Sequence, residues 1–307
     1  MASVLALAGL GKDYGARRAV DAVDLVIEAG TIVGLLGPNG AGKTTTISMA
    51  CGVITPTRGT AYVDGHDVWR DPRKAKRALG LVPQELALYD ELSARQNLRY
   101  FGRIYGLSGT ELAARIDWAL GVAGLADRVD DPVSEFSGGM KRRLNLAAGV
   151  LHKPKLLILD EPTVGVDPQS RNHIFETVKT LRTEGMTVLY TSHYMEEVEA
   201  LCDTVAIMDH GRLVAAGTIA ELVASHGGEG LDLEVTGDAE AARTAAATLA
   251  SPVAGEGQIV RLPEVQPLAP VLAAIEATGA TITSIASRRG NLEGVFLALT
   301  GKALRDE

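Results

Sequence analysis

Apolar and polar positions alternate along residues 4–10 and 20–28, a period-two pattern that predicts two strands joined by a turn at KDYGARRA. TIVGLLGPNGAGKTTTISMACGV then reads as strand, Gly-rich loop and helix, and residues 60–64 and 79–83 as further short strands. From about 93 to 150 the apolar spacing turns helical, as in QNLRYFGRIYGL and ELAARIDWALGVAGL. KLLILD (155–160) is a continuous apolar run ending in an acid, the pattern of a strand buried on both faces of a parallel sheet. A helix at 168–183, a strand at 187–192, a helix at 194–200 and a strand at 204–209 follow. Strands alternating with helices predict an α/β domain whose helices cover the sheet. Near 218–230 a short helix runs into a Gly-rich linker, and residues 231–307 predict a small second α/β domain from LDLEV, QIVRL and TITSIAS among Ala-rich helical stretches. The chain holds one copy of each motif.

At 307 residues the chain suits about two domains of ~150 residues, enough for cores without disulfide or metal staples. With 46% apolar and 22% charged residues the composition is that of a folded protein and excludes general disorder. A net charge of −8 argues against a nucleic-acid binder, which needs a Lys/Arg excess on some face. Cys51 and Cys202, without metal-like spacing, read as buried thiols in a reducing cytoplasm. The start lacks the basic stretch of a signal peptide, and no segment approaches the ~20 apolar residues of a spanning helix. The expectation is a chain soluble by itself, with any membrane role coming through a partner.

Gly37-Pro38-Asn39-Gly40-Ala41-Gly42-Lys43-Thr44 matches GxxxxGK[ST] between a strand and a helix, the context that pattern requires. Its glycines let several N–H groups converge on phosphate oxygens, and the helix adds its positive N-terminal end. Lys43 is expected on the β/γ-phosphates and the Thr44 hydroxyl on Mg²⁺, with Thr45 extending the nucleotide-binding set. Kinases, GTPases and motors share such a loop, so it does not name the reaction. Asp160 suits the second metal acid, and Glu161 the general base that polarises an attacking water.

Ser137-Gly138-Gly139-Met140, opening KRRLNLAAGVL and 23 residues before Asp160, resembles the signature motif of ATP-binding cassette (ABC) ATPases. The resemblance implies a P-loop NTPase cassette over residues 1–224, with a mixed sheet core, a β-subdomain and a helical subdomain at about 84–150, followed by a small C-terminal α/β domain at 225–307. It implies that Ser137, Gly138 and Gly139 bind the γ-phosphate of ATP held by the other subunit of a dimer. Tyr14 resembles the aromatic that stacks on adenine, and Gln84 the glutamine that senses Mg²⁺ and the attacking water. Asp167 resembles the acid of the loop crossing the dimer interface, and His193, 33 residues after Asp160, the switch histidine. One departure stands out: the usual signature ends in Gln, where this chain has Met140 with Phe136 ahead. FSGGMKRRL, QELALYDELSARQNL, YFGRIYGL and NLEGVFLALTG are similar to the subgroup serving ABC-2 type exporters, including drug-resistance ATPases.

The resemblance implies a cytoplasmic ATPase subunit, peripheral on the inner face of the membrane, that works as a homodimer or with a near-identical partner on a separate ABC-2 type permease. The main alternative is a soluble ABC ATPase acting on ribosomes or DNA, which the single cassette, the absence of inserted modules and the acidic balance disfavour. An ATP-holding protein without turnover is disfavoured by intact Glu161 and His193, and a kinase by the signature. The tail is left open between a dimer-stabilising or regulatory domain and a passive extension.

Overall fold

The computed structural model describes residues 3–226, 230–251, 253–255, 257–263, 267–288 and 290–300. Gly227, Gly228 and Glu229 of the expected linker lie outside them, as does Gly301 of the tail motif. The chain divides into two compact units, residues 1–218 and 219–307.

The first unit opens with β1 (Ser3–Tyr14) and β2 (Arg17–Glu28), an antiparallel hairpin. Both strands run into the stretch that the sequence pattern leaves as a turn, because Gly15 takes a φ of +60° and reverses the chain within two residues. Next come β3 (Ile32–Leu36), α1 (Lys43–Ala50), β4 (Arg58–Val63) and β5 (His66–Asp67). A short helix that periodicity did not reveal, α2 (Pro72–Arg77), starts on a proline and leads to β6 (Leu79–Val82). The helical region holds α3 (Ala94–Ile104), α4 (Gly109–Val122) and α5 (Gly138–Val150). A capping box of Ser93 and Gln96 starts α3, and Phe136 and Met140, the unusual signature neighbours, pack into the core that α3, α4 and α5 share.

β7 (Leu156–Asp160), α6 (Pro168–Thr183), β8 (Thr187–Ser192), α7 (Met195–Leu201), β9 (Thr204–Asp209) and β10 (Arg212–Thr218) complete the unit. Two sheets result, β2-β1-β4-β5 and β10-β9-β3-β8-β7-β6. In the second, β9, β3, β8, β7 and β6 are parallel and only β10 runs antiparallel. β3, β7 and β8 are buried at every position, which explains their unbroken apolar character. Residues of both sheets and of α1 (Leu5, Val63, Ile47, Leu35, Ile158) join one apolar core, so α1 is held from both sides.

The second unit contains α8 (Ile219–His226), β11 (Gly230–Thr236), α9 (Ala239–Ala247), β12 (Ile259–Pro263), α10 (Ala269–Glu276), β13 (Thr281–Arg288) and α11 (Leu292–Thr300). Its antiparallel sheet has the order β12-β11-β13, with Leu233, Val235, Val260 and Leu262 packed on Ala242, Ala246, Val271 and Ile275. α8 packs on α11, so it belongs with this unit.

Candidate active site

Parallel strands place all their C-terminal ends at one sheet edge, where open α/β sheets bind ligands. Here β3 delivers the phosphate loop to that edge, β7 delivers Asp160 and Glu161, β8 delivers His193, and β6 leads to Gln84. Adjacency of β3, β8 and β7 brings segments more than a hundred residues apart in sequence side by side.

The loop between β3 and α1 needs its glycines for shape. Gly40 and Gly42 take φ of +81° and +100°, and a Cβ on Gly37 would meet the Met208 carbonyl oxygen at 2.4 Å. Ala41 is buried under the loop, Asn39 and Gly40 face solvent, and Pro38 is half-buried. Lys43 is buried and folds back along the loop, donating from Nζ to the carbonyl oxygens of Gly37 (2.6 Å) and Pro38 (3.3 Å). Burial pushes its ammonium below the usual lysine range, with Glu161 and Asp160 pulling the other way. Thr44 is exposed and Thr45 half-buried, while Thr46 turns inward against Met208.

Glu161 stands between two cationic or protonatable groups. Its Oε1 lies 3.7 Å from Lys43 Nζ and its Oε2 3.4 Å from His193 Nδ1. Its backbone has φ +47°, an unfavourable region for a residue with a Cβ, and strain of that kind collects at functional sites. Thr191 helps to hold the conformation: its Oγ1 accepts from the Glu161 N–H at 2.9 Å and donates to Asp160 Oδ1 at 2.8 Å. Asp160 is buried, and that burial raises its carboxyl above the usual aspartate range.

The donor set suits a hard divalent cation: a buried carboxylate at Asp160, an open hydroxyl at Thr44 and the amide oxygen of exposed Gln84. Among the described residues no cluster of three or more acidic, His or Cys side chains could cage a metal. A cation that keeps several waters and shares phosphate oxygens needs no such cage.

The Gln84 loop is fixed by α5. Arg142 donates to the Gln84 carbonyl oxygen, and Asn145 bonds Pro83 and Ala87 on either side of it. Buried Asn97 binds both backbone groups of Tyr89 farther along. Tyr14, at the end of β1, is 48% exposed, with Lys12 Nζ 5.1 Å from its ring centroid.

The signature residues stand apart from this cluster. Ser137 caps α5, accepting from the Met140 N–H at 3.3 Å, and is exposed together with Gly138. Gly139 is buried against α6, where a Cβ would lie 2.0 Å from Ser170 Oγ. Asp167 caps α6, accepting from the Ser170 N–H, and such backbone bonds lower its carboxyl. No hydrogen bond or ion pair among the described residues joins Ser137, Gly138, Gly139 or Asp167 to residues 37–45.

Sequence motifs did not disclose Thr191, Asn145, Arg142 or Glu197. Glu197 is 2% exposed, and its Oε2 accepts from Thr163 Oγ1 (2.9 Å), Tyr190 OH (2.9 Å) and Ser192 Oγ (2.8 Å). The available signal was a glutamate on the same helical face as Val198 and Leu201.

A phosphate loop, two acids and a histidine at one edge of a largely parallel sheet, with a helical region beside them, define a P-loop nucleotide-binding cassette. The chain belongs to the ATP-binding subunits of ABC transporters and is an ATPase: the ABC transporter family model matches residues 20–164. It is 45% identical over 303 residues to the linearmycin resistance ATP-binding protein LnrL of Bacillus subtilis (strain 168), covering 96% of this chain and 97% of that one. It is 41% identical over 307 residues to the Nod factor export ATP-binding protein I of Cupriavidus metallidurans, covering 100% of both. The daunorubicin/doxorubicin resistance ATP-binding protein DrrA of Streptomyces peucetius is 38% identical, covering 97% of this chain and 92% of that one. A solved structure described as the ATP-binding subunit of an ABC transporter superposes with a TM-score of 0.67 at 31% identity, over 72% of this chain and 92% of that one.

Proposed function

We propose that the chain hydrolyses ATP as a homodimer and thereby drives export through a separate ABC-2 type permease. The observation that carries this reading is the Lys43–Glu161–His193 contact at the sheet edge, together with an exposed Ser137-Gly138 that stands apart from it and has no phosphate-loop partner among the described residues. One copy's phosphate loop then faces the other copy's signature, with ATP between them. Glu161 takes a proton from water as its oxygen bonds the γ-phosphorus and ADP leaves; His193 orients that water and the γ-phosphate. Asp160, Thr44 and Gln84 would hold Mg²⁺, which when bound would supply positive charge against the developing phosphate charge. Tyr14 stacks on adenine, and Asp167 sits at the dimer seam. Because Ser137 adds its contact only in the closed dimer, ATP favours closure and hydrolysis reopens it.

No helix among the described residues is long and apolar enough to cross a membrane, so transport requires a membrane partner. A groove of about 590 Å³ between α1, α2, β6 and α3 suits that partner. Val53 and Ile104 expose apolar surface there beside Arg73, Lys76 and Arg77, which form no ion pair among the described residues. Near-full-length likeness to resistance and Nod factor export proteins supports export. The test is pull-down of tagged protein from detergent-solubilised host membranes. A stoichiometric polytopic partner is expected, and ribosomal or DNA-associated proteins without one would overturn the transporter reading.

A further inference from the structure

Glu197 receives three hydroxyl hydrogen bonds on one carboxyl oxygen, and the hydroxyls come from functionally separate segments. Thr163 lies two residues after Glu161, in the loop that leads to Asp167. Ser192 immediately precedes His193, and Tyr190 lies two residues before Ser192 in β8. The Ser192 oxygen also accepts from the Tyr194 N–H at 2.9 Å, so the backbone on the far side of His193 is fixed to the same oxygen. Every donor is buried, as is Glu197 itself. Burying a carboxyl group is costly, and an apolar side chain would suffice to pack α7 on β8. What an apolar residue cannot do is hold two loops at a fixed separation. Thr163 and Ser192 flank Glu161 and His193, whose side chains approach to 3.4 Å.

We propose that Glu197 is a positioning residue that ties the Glu161 loop to the His193 segment, so that contact of His193 with the γ-phosphate and placement of Glu161 occur together. The inference rests on the roles given above to those two residues. Glu197 is buried, and its hydrogen bonds among the described residues are to these hydroxyls, so it acts through the two segments they belong to. Its effect is on the rate of the chemical step rather than on nucleotide affinity, because Lys43 and the phosphate loop bind ATP without it.

The test is steady-state ATP hydrolysis by the full chain carrying Thr163→Val, Ser192→Ala, both together, or Glu197→Gln. Each substitution is close to isosteric, and thermal melting is recorded alongside. Each single loop substitution is expected to lower kcat about tenfold with KM within about twofold. The double variant is expected to lose no more than the worse single variant, since either change cuts the same tie. Glu197→Gln, which keeps an acceptor oxygen but loses charge, is expected to lie between wild type and the double variant. Multiplicative losses of about a hundredfold in the double variant would mean two independent local roles and overturn the proposal. Unchanged kcat, or a change in KM alone, would overturn it as well. If Glu161→Gln still hydrolysed ATP, the base assignment would fail; additive losses with Glu161→Gln inactive would remove the tie alone.

Discussion

Two Gly-rich segments in this chain each open a helix, yet they are built differently. In the loop at 37–44, two glycines at positive φ shape the backbone and Lys43 is buried inside it; the acids at the end of β7, one strand beyond β8, stand within reach. At 137–140 the helix is capped by Ser137 itself, Gly138 is open to solvent, and among the described residues no hydrogen bond or ion pair ties the segment to the phosphate loop. Both offer backbone N–H groups to an anion, but only the first supplies the rest of a catalytic centre. A phosphate loop is therefore a site within one chain, and the signature is, in the function proposed above, half of a site that a second copy completes. That difference is the physical argument for a two-copy enzyme.

The largest expected effect tests the completeness of the first segment. Glu161→Gln should keep ATP binding and lower turnover by about 10²–10⁴, the usual range for a general base, measured by phosphate release. Undiminished release would remove Glu161 as the base. A second effect separates the signature helix from the loop. His152, just beyond α5, stacks on Tyr105 and bonds the Leu79 carbonyl oxygen, and burial lowers its pKa to about 4. The unfolded chain therefore binds the proton first as pH falls, so this contribution is full above about pH 6.5 and is lost towards pH 4. The loss is about 3 kcal/mol, read as a drop in Tm that His152→Gln flattens.

Lys43→Ala should weaken ATP binding about 10–100-fold, the value of a charge-assisted contact, in titrations of the isolated chain. Normal affinity there would contradict the phosphate-loop assignment. Gly138→Asp sharpens the contrast: open space surrounds Gly138, so Tm and ATP affinity of the isolated chain should hold while turnover falls on the order of tenfold by charge repulsion in the dimer. Equal loss of affinity in the isolated chain would mean that the signature acts in cis. Smallest is Asp167→Ala, which removes a helix cap and should cost about 1 kcal/mol in urea unfolding.

Much of this was legible in the chain. The phosphate loop is local, since its glycines, lysine and flanking strand and helix are contiguous and their spacing dictates the backbone. The buried strands at 156–160 and 187–192 were legible because two-sided burial demands unbroken apolar runs. The β1–β2 reversal was less so, because one positive-φ glycine lets both strands continue through polar residues. The short α2 escaped because six residues are too few for a helical period to show.

What the sequence by itself determined is which groups are available: a phosphate loop, two adjacent acids, a histidine after a buried strand and a second Gly-rich helix start. Only the tertiary structure decided which of them meet. Strand order sets Lys43 against Glu161 and Glu161 against His193, Thr191 holds the strained backbone at Glu161, and Glu197 gathers two hydroxyls from β8 and one from the loop after Glu161. Pattern along a chain records local backbone demands, whereas the pairing of parallel strands is a long-range choice made by packing, and the distances of this site follow from that choice.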